Sequence, residues 1–324
     1  PVSLFHMNEP HPLILDMASS PGGKTTHLID RTADQGFIIA NDASKNRISA
    51  LRAVLSNWGG INQIITQFPG ESFGTWFPET FDYILLDAPC SMENLRPTLN
   101  HPMRETTDTE RFRLQERQIQ LLKSGLSALK VGGQLVYATC SLAPEEDEAV
   151  INALLSDYSD VFGIEDVSRK LNLSAPGLTS FGSEIYHPDL IHAMRLWPHR
   201  TGTSGFFCAL LTKIAPIQLP RITPPHRDFD RTGLEIINEK IKSQVLDQFS
   251  EQFGLEMDLI LADFRIEIFQ RNDQLFLIPL LYLENFITLP YEYIGMPLGR
   301  LFKDQLEPSH AFVSRFGHLF TQGK

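Results

Sequence analysis

Only three cysteines occur in 324 residues, too few for a disulfide framework. No apolar run reaches the roughly 18 residues that a membrane-spanning helix requires. The first twenty residues lack a basic start, an apolar run and a small-residue cleavage site, so no signal peptide is expected there. Together these absences point to a reducing, cytoplasmic setting. Positive charge is also in deficit. Lys plus Arg number 28 against 39 Asp plus Glu, a net charge of −11, and the parts before and after Lys213 are both acidic. That balance lacks the basic footprint of a protein whose affinity rests on phosphate contacts, and only specific motifs can outweigh it. No repeat or low-complexity segment is present. What remains, at 42% hydrophobic and 21% charged, is ordinary globular usage. The length suits two domains, or one large domain with an appendage.

Four apolar, β-rich runs recur between helical stretches, at residues 12–16 (PLILD), 37–42 (FIIAND), 62–67 (NQIITQ) and 81–87 (FDYILLD). A fifth, 134–140 (QLVYATC), follows Gly132-Gly133. Residues 44–58 and 109–129 read as helices, with Ile48, Leu51 and Leu55 at helical spacing. Continuous apolar strands alternating with helices predict an α/β fold with a parallel sheet covered on both faces. Such sheets place their chemistry at the carboxyl ends of the strands. Three of these strands end in Asp16, Asp42 and Asp87, and the fifth ends in Cys140. Residues 215–231 hold four prolines and read as a linker. A helix over about 234–253 and a hairpin over 264–279, turning at Asn272-Asp273, should follow.

Three constellations carry chemistry. The first, LDMASSPGGKTT at 15–26, runs a strand through a small-residue loop into a helix, which presents backbone N–H groups to a ligand. A P-loop would need glycine where Ala18 stands, although Gly23-Lys24-Thr25 matches its end and residues 81–87 could serve as its second acidic strand. A nucleoside-binding loop would take its ribose on an acid ending the next strand, and Asp42 is so placed. A plain tight turn is the remaining reading. The second and third constellations are DAPCS (87–91) and TCS (139–141). They put two cysteines just beyond two core strands, where a thiolate can add to an electron-poor carbon and later be expelled. Cys208, inside the apolar run 205–211, reads as core filler. No Cys-x-x-Cys or His cluster suggests a metal.

LDMASSPGGKTTHL, NDASKNR, FDYILLDAPCS and LVYATCSLAPEEDEAVI resemble, in order, the motifs of the Sun/Nop family of RNA 5-methylcytosine methyltransferases. Residues 195–213 resemble the block that closes its catalytic domain, and 295–312 resembles the C-terminal RNA-binding region of bacterial members. The resemblance implies a class I S-adenosylmethionine-dependent methyltransferase, Rossmann-like, with a smaller mixed α/β, PUA-like RNA-binding domain. The expected boundaries are 1–214, a linker at 215–233, and 234–324. It implies that Ala18, Ser19, Ser20, Pro21, Gly22, Gly23 and Lys24 cradle S-adenosylmethionine, with Asp42 on the ribose. Asp87 would lie between cofactor and base, Cys140 would be the nucleophile, and Cys90 would release product. The implied substrate is RNA, 16S ribosomal RNA ahead of transfer RNA, with a non-catalytic ribosome-assembly factor as the alternative on the same scaffold. Neither metal nor membrane is implied.

Two departures from the family pattern stand out. Gln67-Phe68-Pro69-Gly70 replaces an acid after the third strand, and Ser91-Met92-Glu93-Asn94 replaces glycines after DAPCS. The family also normally carries an RNA-binding segment before its first motif, so one is expected ahead of this stretch. Arg96, Arg104, Arg111 and Arg113 face either RNA or solvent beside Glu105 and Glu110. Pro144 followed by Glu145-Glu146-Asp147-Glu148 reads as a favourable helix start, its acids pointing away from Cys140.

Overall fold

The computed structural model describes residues 1–93, 105–303 and 305–322. In chain order the main elements are β1 (Leu13–Asp16), α1 (Gly23–Arg31), β2 (Phe37–Asn41), α2 (Lys45–Trp58), β3 (Gln63–Thr66), α3 (Phe73–Trp76) and β4 (Phe81–Asp87). Next come α4 (Asp108–Ala128), β5 (Leu129–Thr139), α5 (Glu148–Tyr158), β6 (Phe162–Glu165), β7 (Met194–Leu196) and β8 (Phe206–Lys213). The C-terminal part adds α6 (Glu239–Phe253), β9 (Ile266–Arg271), β10 (Gln274–Pro279), β11 (Met296–Phe302), β12 (Gln305–Pro308) and α7 (His310–Phe316). They form two compact units. One comprises Pro1–Asn8, Leu13–Ala18 and Phe68–Thr223; the other comprises Glu9–Pro12, Ser19–Gln67 and Pro224–Lys324.

In the first unit β4 runs parallel to β1 on one side and to β5 on the other. β8 then pairs antiparallel with β5, and β6 and β7 pair antiparallel with β8. Ile84, Leu85 and Leu86 of β4 and Leu135, Val136 and Ala138 of β5 are fully buried, as strands covered on both faces require. Helix α4 starts where Thr107 accepts a hydrogen bond from Glu110 N–H, with Asp108 and Glu110 favourable beside the positive helix end. β5 begins at Leu129, before the Gly132-Gly133 pair that the sequence suggests as its boundary. Both lie within the strand: Gly132 takes a φ of +83°, and a Cβ on Gly133 would sit 2.8 Å from Asp82 O.

In the second unit β2 and β3 are parallel, and Tyr293–Ile294 pairs antiparallel with β3. A five-stranded antiparallel sheet of Glu235–Ile236, β9, β10, β11 and β12 follows. Val245 and Phe249 of α6 and Phe312 of α7 share its core with Ile268, Leu275, Leu277 and Leu298. Asp34 ties these parts together, accepting from Ile61 N–H at 2.8 Å and Asn62 N–H at 3.0 Å while pairing with Arg315 at 3.0 Å. The hairpin turns at Asn272-Asp273 as expected, with Asn272 at a φ of +56°. The helix expected from about 234 begins later. Residues 235–236 pair with β9, and Asn238 caps the helix by accepting from Ile241 N–H at 2.9 Å.

Helix α3 packs on α4 through a glycine. Gly74 N–H donates to Ser124 Oγ and Ser127 Oγ donates to Gly74 O, both at 2.9 Å. A Cβ on Gly74 would fall 2.6 Å from Ser124 O, a backbone atom with no room to yield. Gly74→Ala should therefore lower unfolding stability by about 1–3 kcal/mol in urea titrations. A loss below about 0.5 kcal/mol, the surface-substitution range, would show that the packing there is looser.

Candidate active site

The register of β4 and β5 brings the two cysteine motifs together. Asp87 lies opposite Ala138, and Ala88 N–H donates to Ala138 O at 2.8 Å, so both outgoing loops leave the sheet side by side. Cys90 is three residues beyond Asp87 and Cys140 is two beyond Ala138. Their Sγ atoms are 3.0 Å apart, and both are free, half-buried thiols. The hydrogen bond to Cys140 holds the Cys90 thiol far above the ordinary thiol range, and burial and the neighbouring Cys140 charge add to it. Either sulfur can donate in the Cys90–Cys140 hydrogen bond, so the two thiols share one proton position between them. Asp87 closes β4, half-buried. Cys208 is fully buried on β8, the core residue it was read to be, and burial pushes its thiol up to about 11.

The acidic run at 145–148 neither starts a helix at Pro144 nor points wholly away from Cys140, since Glu146 accepts from Ser141, the residue after Cys140. Residues 144–147 form a turn, α5 begins at Glu148, and Glu146, Asp147 and Glu148 are fully buried. Glu146 Oε1 accepts from Ser91 Oγ at 2.6 Å and Ser141 Oγ at 3.0 Å; its Oε2 accepts from Ser91 N–H at 2.8 Å and Gln118 Nε2 at 3.2 Å. Asp147 accepts from Thr139 Oγ1 at 2.6 Å and pairs with Arg195 at 3.2 Å. Burial pushes the Asp147 carboxyl well above the usual carboxylate range, with the Arg195 guanidinium opposing. Glu148 also pairs with Arg195, itself fully buried. The inward turn is explained by these donors, since buried charge is tolerated where it is paired and hydrogen-bonded. One sequence signal was available. Four consecutive residues go nearly once around a helix, so they cannot all share its solvent face. Arg111 is not a freely solvated side chain, because it pairs with Glu93 at 2.9 Å and Glu146 at 3.4 Å. Arg113 is exposed, whereas Arg96, Arg104 and Asn94 lie outside the described residues.

Ala18 follows β1 in the first unit; the other candidate cofactor residues, apart from Asp87, lie in the second. Ser19 donates to Asn41 O through its N–H at 2.8 Å and its Oγ at 2.9 Å. Ser20 N–H reaches Asp42 Oδ2 at 3.3 Å, Ser44 N–H reaches Oδ1 at 2.8 Å, and Arg47 pairs with the same carboxylate at 3.3 Å. The Ser20–Pro21 peptide is cis, and Gly22 has a φ of +113° that only glycine adopts readily. A Cβ on Gly22 would also press on Val54 and Leu51 at 3.0–3.3 Å, whereas Gly23, the first residue of α1, faces open space. These residues fit a nucleoside. The positive end of α1 opens beside Gly23, and Asp42 Oδ2, which among the described residues accepts only from Ser20 N–H, retains capacity to accept a hydroxyl. After β3, Phe68 packs edge-on against Trp76 at 5.3 Å, and Pro69 leads directly into the turn Gly70–Ser72.

The state of Cys90 is open to direct measurement. Its largest upward influence is Cys140, so Cys140→Ala should lower the Cys90 pKa and raise its thiolate fraction at any pH below that value. Alkylation of Cys90 by iodoacetamide at pH 8, followed by peptide mass spectrometry, should accelerate at least about tenfold in that variant, the effect of one pKa unit. An unchanged rate would mean that Cys140 does not hold the proton on Cys90.

The family described as 16S rRNA methyltransferase RsmB/F matches residues 4–212. Ribosomal RNA small subunit methyltransferase F of Aeromonas salmonicida is 30% identical over 311 residues, covering 96% of this chain and 61% of the relative. Its counterpart in Shewanella loihica is 31% identical over 300 residues, covering 93% and 58%. The chain thus spans about three fifths of the length of these curated relatives. A methyltransferase homolog of Pyrococcus horikoshii superposes with a TM-score of 0.53 at 36% identity, covering 64% of this chain and 63% of that one. NSun6 of the same organism, solved with SFG, gives 0.53 at 30% identity, covering 64% and 49%. The nucleotide-triphosphatase reading of the first loop is thereby displaced by a class I methyltransferase fold. The chain belongs to the RsmB/F family of 16S rRNA methyltransferases, whose cofactor is S-adenosylmethionine.

Proposed function

We propose that this chain methylates C5 of a cytidine in RNA, 16S ribosomal RNA, through a covalent adduct between Cys140 and C6 of the base. The observation that carries the reading is the pair of free thiols 3.0 Å apart beyond two parallel strands. C5 of cytosine is too weak a nucleophile to take a methyl group unaided. Addition of the Cys140 thiolate to C6 makes C5 enamine-like, and Asp87 at N3 stabilises the charge that develops. S-adenosylmethionine, held by Ala18–Lys24 with Asp42 on its ribose, supplies the electrophilic methyl group. The C5 proton must then leave, so that the C5–C6 double bond reforms and the Cys140–C6 bond breaks.

Cys90 is suited to that second stage. While Cys140 has not reacted, its hydrogen bond holds the Cys90 thiol above the ordinary thiol range. Once Cys140 is bound to C6 that restraint is gone, and Cys90 loses its proton more readily just when a base is required. The target base must leave its stack to reach the pair. In this reading residues 1–214 carry the methyltransferase chemistry, 215–233 connect, and 234–324 bind RNA. The protein acts in the cytoplasm.

The two thiols make opposite predictions. Cys140→Ala should abolish methyl transfer while S-adenosylhomocysteine still binds in calorimetry. Cys90→Ala should form the adduct and methylate once, with turnover falling about 10²–10⁴-fold, the range for loss of a proton-transfer group. It should accumulate a protein–RNA band that survives denaturing electrophoresis, and the double variant should show none. Exchanged behaviour would reverse the roles, and full activity in both single variants would remove the mechanism.

A further inference from the structure

We infer that Glu146 is a positioning residue that sets the relation of the two thiols, an inference resting on the reading of Cys90 and Cys140 as the reacting pair. Its carboxylate joins the two cysteine loops directly. Ser91, the residue after Cys90, donates both its N–H and its Oγ to Glu146, at 2.8 and 2.6 Å. Ser141, the residue after Cys140, donates its Oγ to the same carboxylate at 3.0 Å. Gln118, fully buried on α4, spans Pro89 O at 2.9 Å and Glu146 Oε2 at 3.2 Å, so the residue before Cys90 is tied to the same group. Arg111 Nη1 is the fifth donor, at 3.4 Å.

Glu146 is itself rigidly held. It is fully buried, its N–H donates to Ala143 O at 2.9 Å, and its carbonyl accepts from Tyr137 Oη at 2.6 Å. Tyr137 belongs to β5, so the carboxylate is referenced to the strand that delivers Cys140 while gripping the loop that delivers Cys90. Sheet register brings the two loops to one edge, but it does not fix side chains two and three residues beyond the strands. Both serine hydroxyls donate to this one carboxylate, and this orients the backbone adjoining each cysteine. Glu93 lies within the same group, with Oε1 3.3 Å from Ser141 Oγ and Oε2 2.9 Å from Arg111 Nη2. Arg111 thus supplies countercharge to both acids.

Glu146→Gln keeps the shape but turns one acceptor into a donor, which opposes the donors already there. The direct readout is capture of phenylarsine oxide, whose arsenic bonds two thiols at once with loss of water and therefore reports their spacing without RNA or cofactor. In the full chain, E146Q should weaken capture at least tenfold while S-adenosylhomocysteine affinity is unchanged. On RNA, its kcat should fall with KM unchanged. Glu145→Gln, one residue away, should capture as the unmodified protein does. If E146Q fails to fold, Ser91→Ala and Ser141→Ala each remove one side of the link, and each should weaken capture. Undiminished capture in E146Q, or in both serine variants, overturns the inference and leaves the methylation reading standing. Weakened capture in a protein whose unmodified form transfers no methyl group to RNA would do the reverse.

Discussion

The site depends on one geometric constraint, the parallel register of two buried strands. Because β4 and β5 run in the same direction with Asp87 opposite Ala138, motifs separated by fifty residues in sequence leave the sheet at neighbouring points. That register is itself a consequence of burial. Strands as apolar as FDYILLD and QLVYAT are stable only with both faces covered, and their side chains fix which residues lie opposite. The chemistry is then confined to the loops, where Cys90 and Cys140 meet.

A second layer of organisation is electrostatic and lies beneath the loops. Glu146, Asp147 and Glu148 are all withdrawn from water, and such groups persist only with donors and countercharge around them. Arg195 serves Asp147 and Glu148, and Arg111 serves Glu146 and Glu93. In the second unit Arg315 serves the buried Asp34 in the same way. Several of the acids that make the composition so negative are therefore internal structural groups. The net charge of −11 is consequently a weaker argument against an RNA substrate than it seems from counting alone.

The fold was largely legible in the sequence because its signals are local. Apolar runs, helical spacing and the Asn272-Asp273 turn each depend on neighbouring residues, and most elements formed close to where the pattern put them, apart from the starts of β5 and α6. The two cysteines were legible by position, since strand ends are where such sheets place chemistry. Their 3.0 Å approach was not, because it depends on register and on Glu146. Glu146, Gln118 and Arg195 were missed for a common reason. Each acts on at least one partner 28 to 55 residues away, and a local pattern shows that some of four consecutive acids must turn inward but not which partner receives them. The start of β5 was misread because Gly132-Gly133 resembles a break, while the actual needs for glycine are the positive φ at Gly132 and the close approach of Asp82 O to Gly133.

The central claim is that methyl transfer occurs at C5 and displaces the proton there. It is tested most directly with 16S ribosomal RNA transcribed with cytidine tritiated at C5, incubated with the protein and S-adenosylmethionine carrying a labelled methyl group. The account predicts one tritium released to water for every methyl group retained in the RNA. Methyl incorporation without tritium release would place the methyl group elsewhere and contradict it.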